Sequence, residues 1–107
     1  MAESLEDRLR QVREDFVRGV PARIAELLAI WDGDQAVTER LKRAHHLAHR
    51  LAGGAGTLGQ PGLGSASKAL ELELQDLLES GREPNREDFA RFRQQTVALA
   101  DTLQEPT

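Results

Sequence analysis

From Val37 to Leu58, apolar residues recur at intervals that alternate between four and three. They are Val37, Leu41, Ala44, Ala48, Leu51, Ala55 and Leu58. Such a seam draws one stripe down a helix and calls for near-parallel neighbours, as in a bundle. The spacing predicts a helix from about 35 to 58, roughly 36 Å long at 1.5 Å per residue. Four glycines (Gly53, Gly54, Gly56 and Gly59) crowd the second half of the stretch Ala44–Gly59. A glycine inside a helix costs roughly 1 kcal/mol relative to alanine. A chain that carries this many needs bare backbone there.

The flanking segments agree with an all-helical chain. Leu and Ala dominate the apolar residues, and aromatics make up only 4% of the 107 residues. Leu5, Leu9, Val12 and Phe16 form a first stripe, on a helix of about residues 3–18. Gly19-Val20-Pro21 is expected to end it, since proline disfavours helix in the residue before it and suits the first turn of a new one. Val20, Ile24, Leu27 and Trp31 make a second stripe, with Leu28 beside it. Asp32-Gly33-Asp34 reads as a turn, with Asp34 as N-cap of the long helix. Gly59-Gln60-Pro61-Gly62 breaks that helix. Leu63, Ala66, Leu70, Leu74 and Leu77 follow on a fourth helix, closed by Ser80-Gly81. Asn85 caps a fifth, with Asp88 placed for a capping box and Phe89, Phe92, Thr96, Leu99 and Leu103 as its stripe. Glu105-Pro106-Thr107 is expected to fray.

The expectation is therefore a single all-α domain over residues 1–107. Helices two to five form an antiparallel four-helix bundle (core about 20–103), with an additional N-terminal helix laid across one end. There is no cysteine, so no disulfide framework, thiolate metal site or cysteine nucleophile is available. No apolar run approaches the roughly 20 residues that span a bilayer. The charged start MAESLEDRLR is not a secretory signal. The initial Met suggests a complete start, and a soluble, cytoplasmic protein is expected.

Charge is unevenly distributed. The net charge is −4, which argues against nucleic-acid binding. From Arg40 to Leu70 there is no Asp or Glu, while Arg40, Lys42, Arg43, Arg50 and Lys68 make the segment +5 and leave the remainder at −9. A basic field on an acidic chain suits an anionic ligand or an acidic partner surface.

All three histidines lie inside this segment, and the seam fixes their directions. At about 100° per residue, His49 points about 130° away from the seam, out of the bundle. His45, Ala52, Gly53 and Gly56 share its side, so small residues clear space around one imidazole. His46 lies nearly opposite the core. The other reading of the glycines is a frayed end at Gly53-Gly54, but Ala55 and Leu58 hold the apolar phase beyond it. Imidazole, with an ordinary pKa of about 6.5, is a competent nucleophile near neutral pH provided the correct ring nitrogen is free. A carboxylate accepting from one N–H fixes that tautomer. Glu71, at the edge of the fourth helix's apolar face, either serves this purpose or is simply solvated.

The run His49-Arg50-Leu51-Ala52-Gly53-Gly54-Ala55-Gly56-Thr57-Leu58-Gly59 resembles the signature of histidine-containing phosphotransfer (HPt) domains. It is most similar to the phosphotransfer domain of chemotaxis-type histidine kinases. The resemblance implies a helical bundle whose exposed histidine, here His49, is phosphorylated. The phosphoryl group passes to or from the aspartate of a receiver domain, on a response regulator or a hybrid histidine kinase. It also implies that Glu71 is the acidic residue near the imidazole. The receiver, and not this chain, is expected to bring Mg²⁺, so no cofactor is expected here. The usual lysine three residues after the histidine is Ala52. Lys42, on the same helix face two turns earlier, and Lys68 are the candidate replacements.

The resemblance also implies a phosphotransfer carrier and not an autonomous kinase, and the sequence agrees in having no nucleotide-binding or kinase motif. Two other readings stand beside this one. His45 and His49, four residues apart, suggest a metal-binding bundle, although no carboxylate lies in the segment to complete a site. A helical interaction module without relay activity is the other, favoured by Ala52. The first stripe is expected to pack, although partial exposure would allow a dimer contact.

Overall fold

The computed structural model describes residues 4–104. Within them are α1 (Leu5–Asp32), α2 (Val37–Thr57), α3 (Pro61–Ser80) and α4 (Arg86–Leu99), followed by a short 3-10 turn at Ala100–Thr102. The chain is an all-α bundle. Each helix packs on its sequence neighbours, α4 closes back on α1, and α2 and α3 share the most extensive interface.

The five expected helices are four. The first two form one 28-residue helix that runs through Pro21. The magnitudes explain why. An interior proline costs about 3 kcal/mol, while burying Val20, Ile24 and Leu27 in the core returns about 1.5–3 kcal/mol for each side chain. Pro21 is itself exposed, so the hydrogen bond it forgoes lies on the solvent side of α1. The apolar phase also runs unbroken across it, from Phe16 to Val20 to Ile24.

Among the described residues, no separate helix lies across the bundle end. The first stripe instead extends past it. Leu5, Leu9 and Val12 are 72%, 40% and 48% exposed, against the expectation of packing, and the molecule is drawn out to 55 × 22 × 21 Å. Residue 3 of the expected N-terminal helix, and the tail 105–107, lie outside the described residues.

Local chemistry sets the remaining boundaries. Ser4 caps α1 by accepting from the Asp7 N–H at 3.1 Å. Asp34 is not a cap, because α2 starts after Ala36 without a side-chain cap. The end of α1 is instead held by Arg40, which donates to the Ile30 carbonyl (2.8 Å) and the Trp31 carbonyl. A cation at a helix C-terminus also opposes the helix dipole. Gly59, at φ +80°, turns the chain between α2 and α3, and Pro61 then opens α3. Gln60 is buried, and its amide ties down the C-terminal segment through two hydrogen bonds to the Gln104 backbone (2.8 and 2.9 Å).

The core follows the expected stripes. Leu41, Ala44, Ala48, Leu51 and Ala55 of the long seam are buried, and its ends, Val37 and Leu58, are half-buried. Leu63, Leu70, Leu74, Phe92 and Leu99 face them. Trp31 is buried, and its Nε1 donates to Thr96 Oγ1 at 2.8 Å.

The capping box of α4 forms as expected. Asn85 Oδ1 accepts from the Asp88 N–H, and Asp88 Oδ2 accepts from the Asn85 N–H. Arg82 and Arg91 also reach the Asp88 carboxylate, at 2.9 and 3.0 Å. The Arg82 contact, the Asn85 N–H and Arg91 together hold this buried carboxyl well below the usual carboxylate range, against the opposing effect of burial. A carboxyl whose pKa is depressed by folding stabilises the fold above its unfolded value, here 3.8, and loses that contribution as pH falls. Thermal unfolding is therefore expected to hold steady near neutrality and to weaken below about pH 4. Asp88→Asn should lower stability at pH 7 and make the acid decline shallower. An unchanged slope in the variant would contradict this.

Candidate functional site

The site is built across α2 and α3, because the short connection from Leu58 to Gln60 returns the chain antiparallel. The two helices meet at Gly64 of α3, where a Cβ would make only ordinary van der Waals contact. A Cβ built on it would lie 3.5 Å from the Gly56 backbone nitrogen and 3.6 Å from the Ala55 Cβ. The two helices wall a concavity of about 470 Å³, lined by His49, Ala52, Gly53, Gly56, Pro61, Gly64, Ser65, Lys68 and Glu71.

The His49 side chain is 64% exposed, while that of Glu71 is only 5% exposed. His49 Nδ1 and Glu71 Oε2 are 2.8 Å apart. Glu71 is thus not a solvated boundary residue. It reaches the neighbouring helix from a buried position. Lys68 Nζ approaches the other carboxylate oxygen, Oε1, at 3.4 Å. Burial opposes ionisation of Glu71, but the hydrogen bonds from His49 and Lys68 prevail and hold its carboxyl below the usual range. The carboxylate accepts, so Nδ1 carries the proton and Nε2 keeps its lone pair.

His45 sits one turn earlier, half-buried, with its ring 11° from parallel to that of His49 and 6.4 Å away. It backs the His49 ring and does not line the concavity. Lys42 does not line it either. Seven residues along α2 keep helical phase but add roughly 10 Å of axial distance, and Lys42 lies with Glu26, Arg43 and His46 on the α1 side. Lys68 is therefore the lysine at the site. Among the described residues, no three His, Cys, Asp or Glu side chains are placed to hold a metal ion.

The glycines, read in the sequence as one cluster, do different work. A Cβ on Gly53 or Gly56 would meet nothing within 4 Å, so these two leave the concavity open. Gly54 faces the other way, where a Cβ would come within 2.5 Å of Phe16 Cε1. Gly59 supplies the positive φ of the turn. Neither Gly53 nor Gly54 ends α2, which continues to Thr57. Gly53→Ala is expected to stabilise the fold by about 1 kcal/mol. Gly54→Ala should come out about 1 kcal/mol or more below it, because the Phe16 ring must move. Urea unfolding of the two variants checks the difference.

Pro61, Gly64 and Ser65 were not anticipated as site residues. The signal was present: Gly64, Lys68 and Glu71 follow the i, i+4, i+7 spacing of one helix face.

The exposed imidazole is thus held by a buried carboxylate on the next helix, beside a concavity that Gly53 and Gly56 leave open. A family model described as Hpt domain matches residues 2–105. The chain belongs to the Hpt domain family. Hpt domains are phosphotransfer carriers of two-component signalling, not catalytic enzymes, and they work with receiver domains and histidine kinases. No curated protein and no solved structure matches this Hpt domain. Among its described residues, no helix is long and apolar enough to cross a membrane.

Proposed function

We propose that this Hpt domain relays a phosphoryl group on His49 Nε2, to and from the aspartate of a receiver domain on a response regulator or a hybrid histidine kinase, in the cytoplasm. The contact between His49 Nδ1 and Glu71 Oε2 carries the reading. It directs the Nε2 lone pair away from the bundle, toward a docked receiver.

The step is an in-line displacement. Nε2 attacks the phosphorus of the receiver's aspartyl phosphate. The N–P bond forms, the P–O bond to the aspartate breaks, and the carboxylate leaves with the electron pair. The proton on Nδ1 stays in place, and the imidazolium character gained by the ring is met by the Glu71 carboxylate. The receiver supplies Mg²⁺, which neutralises charge on the transferring oxygens. On this side of the interface Lys68 brings positive charge to the concavity, where Ala52 brings none. Ala52, Gly53 and Gly56 admit the receiver's backbone, and His45 supports the ring from behind. Ala52 also favours a second reading, an Hpt fold kept as an interaction module without relay activity.

Incubation with a panel of phosphorylated receiver domains tests the proposal. At least one receiver is expected to transfer phosphate to the chain, giving an acid-labile, alkali-stable label that maps to His49. Binding of receivers without any label supports the interaction module instead.

A further inference from the structure

The five basic residues between Arg40 and Leu70 do not act together. Arg40 caps α1 and Lys68 meets Glu71. The remaining three, Lys42, Arg43 and Arg50, border a depression that Glu26 of α1 also lines.

There α1 and α2 leave a groove in two connected parts that share Leu47 and Arg50. One part is a cleft of about 320 Å³ floored by Phe16, Val20, Leu47 and Leu51. Gly19 and Gly54 also line it, and Gly19 leaves its space open. The other part, about 400 Å³, carries Lys42, Arg43 and His46 on its walls. The acids bordering the groove are already engaged within the chain. Asp15 pairs with Arg18 at 2.9 Å, and Glu26 with Arg23 at 2.9 Å. The groove thus combines an apolar floor with a positive wall, extending over the three helical turns from Lys42 to Gly54.

We propose that this α1–α2 groove is a second docking surface, and that its occupant is an acidic amphipathic helix of a partner protein. Apolar residues at i, i+3, i+4 and i+7 would enter the cleft, and carboxylates on the helix flank would meet Lys42, Arg43 and Arg50. The groove shares no lining residue with the His49 concavity. The inference does not depend on phosphotransfer at His49. It rests on the shape and charge of the groove alone.

Two synthetic amphipathic peptides test it. They share one leucine stripe and differ only in carrying Glu or Lys on the polar face. Each is titrated into the full chain labelled with ¹⁵N. The Glu peptide is expected to shift the amide signals of Gly19, Leu47 and Gly54 and to leave those of Gly64 and Ser65 in place. Its affinity should fall with salt. The double variant Lys42→Glu, Arg50→Glu should weaken binding roughly tenfold or more. These residues are surface-exposed, and a native circular dichroism spectrum would confirm that the variant still folds. Equal binding of the Lys peptide, shifts centred on the His49 concavity, or no shift at millimolar peptide would each overturn the proposal.

Discussion

His49→Gln is expected to accept no phosphoryl group from any receiver that labels the native chain. The effect is total because the substitution removes the nucleophilic lone pair itself, and glutamine's amide nitrogen has none to offer. The fold should be untouched. The His49 side chain is 64% exposed, and its one polar partner among the described residues is Glu71. Glutamine can still donate to that carboxylate, so no buried charge is stranded. The neighbouring histidines provide the controls. His46 is exposed but stands on the α1 side of α2, away from the concavity. His45 is half-buried, with its Nε2 enclosed and without a hydrogen-bond partner. Among the described residues, neither ring has a carboxylate to fix its tautomer. His45→Gln and His46→Gln should both retain the label, with His45→Gln slower because the His49 ring loses its stacked neighbour. The measurement is transfer of radiolabelled phosphate from the receiver. Label persisting in His49→Gln would refute the assignment of the acceptor.

The direction of His49 was legible because one helix carries both the seam and the histidine. Phase is a local property, and seven in-register apolar residues from Val37 to Leu58 leave no freedom to rotate α2. What escaped the sequence was tertiary. Gly53 and Gly54 are adjacent and chemically identical, and what separates their roles is Phe16, a residue of another helix. The burial of Glu71 depends likewise on how α3 packs against α2. Pro21 misled for a different reason. Its local preference is real, but the apolar stripe runs through it in phase, and core burial outweighs the lost hydrogen bond. Lys42 shows the limit of helical phase, which gives direction but not reach. The basic segment was visible as a composition, whereas its division among a helix cap, the His49 concavity and a separate groove depends on how three helices come together.

Glu71→Gln should slow transfer roughly a hundredfold, by reversing a proton and not by removing a contact. Glu71 now receives from two donors, His49 Nδ1 on Oε2 and Lys68 Nζ on Oε1. Glutamine has one oxygen and one NH₂ in the same places. Lys68 has no acceptor to give and must take the oxygen. The NH₂ is then turned toward His49, where it can only donate. The imidazole answers by placing its lone pair on Nδ1 and its proton on Nε2, the tautomer that cannot attack. The same substitution removes the anion that meets the imidazolium as the N–P bond forms. Stability should change little, since glutamine fills the volume of a buried glutamate. Lys68 is what forces this orientation of the amide. Lys68→Met in the Glu71→Gln background frees the amide to flip, so that its oxygen again accepts from Nδ1. Transfer should partly recover, although Lys68→Met alone removes a useful cation and slows the native protein. Single-turnover transfer rates across the four proteins, with ¹⁵N shifts of the His49 ring reporting the tautomer, resolve the cycle. Glu71→Gln transferring within a few-fold of the native rate would show that the carboxylate does not set the tautomer. Low activity in the double variant, with Nδ1 still unprotonated, would remove Lys68 from its orienting role.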